Sequence, residues 1–495
     1  MNSLCPHTNN YFYFAHSIIV LERAKKIISE FANDDLAKCR DFLIGKIKAA
    51  IVYMPDMTKE EIIEKALFAV ASTKEITDIE TLSKAVIFAR NVQIVKENKE
   101  VVDAMLAGDA VMIIEGFDKC IVLDAKAWDK RSIMEPPVEN VLRGPREGFI
   151  EDVKTNLQLL QRRLRTTKLK VERMRIGTCS NTAIAIVYLE NVANPKIVKE
   201  IKERLKKINI DMLYDSASLE PFLEHRPLSI FRQVGYTERP DIAASKISEG
   251  RVAIVVDGSP IVLTLPYLLI EDFHSAQDHY QKFHAATFLR FLRLAALFIA
   301  LLLPGSYVSL LKFNYDLVPL GFLVTIMNAT KGTPLPPLFE VLLVIVLFEI
   351  LRESALRLPK IIGLAMGIVG GIILGEAAIL SGLLSPSTVL VVAISSIAMF
   401  TVPSHLSASM LLRVGITLIA GLLGLFGMLL IGIFLLHYLS DLSMYEAPYL
   451  APIAPLIKSE VGDSFIKKPL FDLKDRPEST GCINKLRQSD EKADN

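Results

Sequence analysis

Cysteine is scarce in this chain of 495 residues: Cys5, Cys39, Cys120, Cys179 and Cys482 stand far apart, with no CxxC or zinc-ligand spacing. That scatter argues against a disulfide framework and a cysteine-based metal site. An excess of charge is missing as well. With 56 Lys and Arg against 55 Asp and Glu the net charge is +1, and no basic stripe with interleaved aromatics offers a nucleic acid a footing. The phosphate-cradling patterns GxGxxG and GxxxxGK[ST] are absent, as are the zinc-protease HExxH and the nucleophile-elbow GxSxG. No enzyme activity, metal or cofactor is therefore expected, and Cys179 beside Ser180 reads as a structural cysteine. The first residues, MNSLCPHTNNYFYFAHSIIVLERAKK, lack a basic segment ahead of an apolar one. A cleaved signal peptide is not expected, and the leading region is expected to stay in the cytoplasm.

Long apolar runs are what the chain has, and all lie after residue 293. The overall 51% hydrophobic and 22% charged composition averages two unlike halves. Up to about residue 285 Lys, Glu and Asp abound, and the pattern is that of two small α/β subdomains, 17–142 and 143–270, after a disordered start at 1–16. In the first, apolar spacing predicts a helix over 17–31, and the β-branched segment 48–54 predicts a strand. A capping-box pattern at Thr58 and Glu61 predicts a helix start, followed by a helix over 79–90. A hairpin is expected from 109–115 and 119–124. In the second, helices are expected over 150–168, 195–208 and after Pro240, with a strand at 183–190. The turn signal at 257–260 joins a hairpin of 251–256 and 261–265. The basic run Arg162, Arg163, Arg165 reads as a solvated helix face, with contact to acidic lipid or an acidic subunit as the sharper alternative.

Residues 271–293 read as an amphipathic linker, and 294–440 as an α-helical transmembrane bundle. A span needs about 20 apolar residues, and four candidates qualify: 294–311, 338–356, 361–384 and 414–436. The segments 317–327 and 390–399 are too short and read as partial insertions. A tail from 441 to 495, rich in Lys and Arg after residue 458, favours a cytoplasmic C-terminus. With both ends inside, Arg413 falls on the outside under this count, and a five-span arrangement is the alternative.

Ionisable residues within such helices are costly and need partners, water or a pore. Glu340, Glu349 and Glu376 are the candidates for an ion path or an intramembrane charge. Arg352, Glu353 and Arg357 are expected to form charge pairs along one helix, Glu349 with Arg352 and Glu353 with Arg357. Glu376 follows Gly370, Gly371 and Gly375 and has no such neighbour, so an ion-linked site and an interhelical hydrogen bond both remain open for it.

Several motifs together resemble the GerA family of spore germination receptors, in particular the A subunit. They are RGPREGF at 143–149 with Asn156 and the arginine run, TERPD at 237–241, VDGSP at 256–260, TFLRFLR at 287–293 and EILRESALRLP at 349–359. The resemblance implies a multi-pass subunit in the spore inner membrane, working with a transporter-like B subunit and a lipoprotein C subunit. It further implies that the A subunit oligomerises into an ion-conducting channel while the partner senses the nutrient. A secondary transporter acting alone is a different reading, but the inverted repeats it would need are not found. A membrane-tethered scaffold is a third.

Overall fold

The computed structural model describes residues 22–32, 36–44, 47–71, 79–85, 92–127, 135–137, 139–469 and 472–487. The expected disordered start lies outside these residues, as do 17–21 and 86–90 of the expected helices. The N-terminal region opens with α1 (Glu22–Ser29), β1 (Lys38–Ile44), β2 (Ile47–Tyr53), α2 (Glu60–Ala71), α3 (Ile79–Ala85), β3 (Val92–Val95), α4 (Asn98–Leu106), β4 (Ala110–Ile114) and β5 (Cys120–Leu123). It continues with α5 (Val153–Arg163), β6 (Leu169–Ile176), β7 (Thr182–Leu189), α6 (Pro195–Lys206), α7 (Glu220–Leu223), β8 (Gly235–Thr237), α8 (Pro240–Ser248), β9 (Val252–Val256) and β10 (Val262–Leu265). The strands form two sheets, ordered β1-β2-β4-β5-β3 and β6-β7-β9-β10-β8, with every pair antiparallel. Both halves run helix, two strands, two helices, strand, helix, two strands. The N-terminal region is thus a structural repeat of one unit.

The strand pattern explains how the halves meet. The central strands β4 and β9, AVMII and VAIVV, are buried along their whole length, as apolar strands covered on both faces must be. One face of each sheet joins α1, α4, α5 and α8 in a single core that includes Ile27, Val101, Val111, Leu160, Val187, Ile247 and Val255. The opposite face of the first sheet packs under α2 and α3 through Ile51, Ile63 and Met112. That of the second packs under α6 and α7 through Ile186, Ile201, Leu223 and Val256. Local chemistry sets the helix starts: Asp152 accepts a bond from Thr155 N at 2.8 Å, and Asn194 caps α6 with Pro195 in the first turn.

Three local expectations change. Thr58 makes no helix cap but sits in a β-bridge with Lys126, and α2 starts at Glu60. The helix expected to reach residue 168 ends at Arg163, and the charged segment after it is β6. Arg162 and Arg163 do not face solvent freely, because both are partly buried against Glu147, Arg163 at 2.9 Å.

The helical part comprises α9 (Phe283–Lys312), α10 (Leu320–Thr330), α11 (Pro337–Arg357), α12 (Lys360–Leu380), α13 (Pro386–Met399) and α14 (Leu406–Asp441). A short ribbon of β11 (Ser443–Met444) and β12 (Ala447–Pro448) and then α15 (Lys458–Phe465) follow. Among the described residues, two helical stretches are long and apolar enough to cross a membrane by length and composition, Phe283–Lys312 and Pro403–Asp441.

The second stretch is not one straight rod. Gly424 has φ 66° and ψ −154°, a conformation essentially confined to glycine. His405 and Tyr438 both lie against Phe231, with ring centroids 6.5 and 6.0 Å away, whereas a straight helix would hold residues 405 and 438 about 50 Å apart. A Cβ on Gly427 would meet Ile419 Cγ2 at 2.8 Å, although residues 419 and 427 of a straight helix stand about 12 Å apart. The chain therefore turns back at Gly424, and the run expected as a single last span, 414–436, is divided between two legs, 406–423 and 425–441.

The other helices can be oriented by their contacts. α9 leaves the N-terminal region at Phe283 and ends far from it, where Lys312 Nζ donates to Gly421 O at 2.7 Å. α11 starts at that far end, with Leu338 against Gly421, and returns until Arg352 reaches Met410. α12 starts beside Ala355 and runs outward, bringing Ala378 and Leu384 to the cluster around Tyr307 and Leu338. α13 comes back from Ser387, bonded to Tyr307 OH at 2.9 Å, to Met399 beside Ala296 and Leu406. The two legs of α14 go out and return to Asp441, which pairs with Arg226 at 2.6 Å.

Gly424→Ala tests the reversal by its sign. In a continuous helix alanine would stabilise by up to about 1 kcal/mol. In the observed turn the left-handed backbone and a contact with Phe313 at 3.2–3.3 Å make alanine destabilising by about 1–2 kcal/mol. Thermal unfolding in detergent is expected to shift down; an upward shift would rule out the reversal.

Candidate functional site: a buried charge cluster and the junction beneath it

The helical part is held together by charge at one level. Glu349 of α11 pairs with Arg352 one turn on, at 2.7 Å, and with Arg413 of the outward leg of α14, at 2.8 Å. The Arg413 side chain is 1% exposed, and its Nη1 donates to Ser396 Oγ at 3.0 Å and Ser395 Oγ at 3.4 Å. Ser395 Oγ donates in turn to the Ala300 carbonyl at 2.8 Å. One glutamate and two serines thus tie α9, α11, α13 and α14 around a guanidinium. Burying such a charge is costly, and losing its partner leaves an uncompensated ion.

Sequence reasoning found Glu349 with Arg352 and missed Arg413. It placed that residue outside, whereas the structure buries it between helices. The signal available was a lone arginine ahead of an apolar run, and its partner lies 64 residues away along the chain.

The other expected site residues separate. Glu340 is 1% exposed and accepts a bond from Ser385 N at the start of α13. There it offsets the positive end of that helix. Ser385, Thr388, Tyr307 and Ser387 continue the hydrogen bonding on that side. Glu353 and Arg357 pair at 2.7 Å but both are exposed, an arrangement worth a few tenths of a kcal/mol. Glu376 is exposed on α12 and is not part of the cluster.

Below the helices, the segment expected as a linker is folded into two 3₁₀ turns, Leu269–Phe273 and Ala276–His279. Asp278 receives Arg293 at 2.8 Å through both oxygens, and Arg290 at 3.5 Å. Asp272 meets His405 at 2.7 Å and also accepts from Tyr267. Glu271 is clamped by Lys246 and Arg251, each at 2.9 Å. Burial alone would push the Glu271 carboxyl up; the facing Arg251 and Lys246 outweigh it and hold it below the ordinary range. Asp278 is held low in the same way, chiefly by Arg293.

The tail is docked here too. Lys467 Nζ donates to Asp278 O at 2.6 Å, Arg487 reaches Glu249 at 2.6 Å, and Thr480 bonds Glu249 O at 3.1 Å. The tail and the N-terminal region therefore lie on one side of the helical part.

The motifs at 143–149 and 237–241 meet through Arg239. Fully buried, it holds Asp241 at 2.8 Å and the carbonyls of Pro145 and Glu139 at 2.9 and 3.2 Å. The pairing of Arg239 with Asp241 is a local ion pair that also fastens the two motifs to each other.

A duplicated sheet domain fastened by paired charges to a bundle of apolar helices defines a class: a two-part protein with candidate membrane helices and no metal-binding cluster among its described residues. The family model described as Bacillus/Clostridium GerA spore germination protein matches residues 24–479, and the chain belongs to that family. It is 34% identical to spore germination protein GerLA of Bacillus cereus over 90% of this chain and 93% of that protein. It is 35% identical to spore germination protein A1 of Bacillus subtilis (strain 168), over 91% and 93%. An uncharacterized membrane protein of the same organism, YfkQ, is 34% identical over 91% and 89%. The crystal structure of the N-terminal domain of the A subunit of the Bacillus megaterium spore germinant receptor GerK3 aligns with 50% of this chain and 93% of its own, at 27% identity and a TM-score of 0.38.

The cluster ranks its members. Glu349→Gln leaves two arginines without a counter-charge and is expected to cost about 3–5 kcal/mol. Arg413→Ala is expected to be nearly as harmful, and Arg352→Ala milder, because Glu349 keeps Arg413. Thermal midpoints of the purified variants check the order; an Arg352 variant as weak as the Arg413 variant would break it.

Proposed function

We infer that the chain is an A-type subunit of a nutrient-responsive spore germination receptor, and that its helical part crosses the spore inner membrane. The alternating helices then make six legs, α9, α11, α12, the shorter α13 and the two of α14, in place of the four spans and two partial segments expected from the sequence, with both chain ends on the cytoplasmic side. Legs of 17 or 18 residues, the lengths on either side of Gly424, reach about 26 Å, close to the hydrocarbon thickness. The basic residues Arg290, Arg293 and Lys458 onward, all on the near side, support that orientation.

Glu376 carries the functional reading. It is exposed on α12, a helix whose outer face shows Ile368, Ile372 and Leu380 and at which Gly371 and Gly375 leave open space. A single carboxylate facing lipid is unstable there. Further copies of the chain around this face would bring several such carboxylates together about a water-filled path. Acidic rings of this kind concentrate cations. In this reading the oligomer releases cations when a transporter-like B partner senses a nutrient, and a lipoprotein C subunit completes the complex.

Glu376→Gln keeps shape and hydrogen bonding and removes the charge. Spores carrying it are expected to hold a normal amount of the subunit and to release cations more slowly after nutrient addition. Unchanged release at a normal protein level would exclude the pore role and favour a scaffold.

A further inference from the structure

A turn on the N-terminal region presents bare apolar side chains at the level where the helices end. Leu228 is 100% exposed and Ile230 43% exposed, and apolar side chains left in water forgo the gain that burial would bring. The turn is built to hold them out. Ser229 N donates to Arg226 O at 2.9 Å, and the fully buried Gln233 accepts from Arg226 N at 3.1 Å and donates to Arg226 O at 2.7 Å.

Both ends of the turn are fixed to α14. Arg226 pairs with Asp441 at the close of the returning leg, and its guanidinium also lies 5.9 Å from the Tyr438 ring. Phe231 packs against Tyr438 and His405, at the two ends of the α14 hairpin. Leu228 is two residues from one anchor and three from the other, so its backbone lies within about 7–10 Å of them. Just outward along the same leg, Ile433, Phe434 and Leu436 are exposed, as lipid-facing residues would be.

We propose that this turn, with Leu228 and Ile230 at its tip, inserts shallowly into the bilayer and occupies the boundary between headgroups and acyl chains. The occupant is lipid, because the exposed apolar band of the returning leg continues directly onto the turn. Arg226 and Tyr438 supply the basic and aromatic side chains favoured at that depth. The insertion would fix the distance of the second sheet from the membrane, so the N-terminal region would be seated on the surface by the turn as well as by the helices.

The inference rests on the helical part crossing a bilayer, and the test separates the two. In a Trp128→Phe background, which removes the chain's single tryptophan, Phe434→Trp and Leu228→Trp are made in the full chain. Each is reconstituted into phosphatidylcholine–phosphatidylglycerol vesicles brominated at upper or at deep acyl positions. Phe434→Trp reports on the membrane reading: loss of its fluorescence to either lipid supports it. Leu228→Trp is expected to lose fluorescence chiefly to the upper-chain bromines and to resist aqueous iodide. Quenching of Phe434→Trp with an unquenched, iodide-accessible Leu228→Trp would overturn the insertion and leave the turn to a protein partner. Silence of both would overturn the membrane reading, and the insertion with it.

Discussion

A guanidinium keeps its charge wherever it lies, so one surrounded by apolar helices is tolerated only if a carboxylate faces it, and the pairing of Arg413 with Glu349 meets that constraint. The rest of the helical part follows from it. Arg413 can reach Glu349 only if the outward leg of α14 lies beside α11. The two serines that complete its hydrogen bonding require α13 on the other side, and Ser395 then draws in α9 through the Ala300 carbonyl. Helices in lipid gain little from burying apolar surface against one another, so polar contacts and close packing carry more of the specificity. α12 is outside this network, with Glu376 on its open face, which is why the proposed assembly between copies is drawn there.

The two halves of the protein are joined by paired charges as well as by apolar clusters around Phe273 and Tyr449. Glu271 and Asp278 each receive at least one cation, and Asp272 meets His405 and Tyr267. The partners of this segment come from four places: the second sheet unit, the first turns of α9, the residue ahead of α14 and the tail, whose Lys467 donates to the Asp278 carbonyl. A rotation of the N-terminal region relative to α9 would have to exchange these pairs together. Coupled in this way, the junction resists small rotations more than a single flexible linker would.

Much of the outline was legible in the sequence, and the misses have physical causes. β4, β7 and β9 announced themselves because strands covered on both faces read as apolar runs. β1 and β6 did not, since edge strands carry charge on one side, and Lys170, Glu172, Arg173 and Arg175 break up the apolar run that marks a buried strand. The reversal at Gly424 was hidden among Gly421, Gly427 and Gly432, because nothing local marks which glycine takes positive φ. The duplication was invisible, as strand order is a property of pairing and leaves no residue pattern. In the candidate site, pairs three or four residues apart were readable, Glu349 with Arg352 and Glu353 with Arg357. The decisive partner, Arg413, was not, because only the folded bundle brings α14 to α11.

The docking of the tail gives the protein an order of completion. Thr480 and Arg487 close against Glu249, and the buried Cys482 side chain packs with the core shared by the two sheets. At ordinary synthesis rates the ribosome needs roughly 10–50 s to travel from that surface to the segment that covers it. During that interval one flank of the N-terminal region stays open while the helical part is made. A chain cut before Thr480 would leave that flank of the N-terminal region uncovered, because Thr480, Cys482 and Arg487 are what close it.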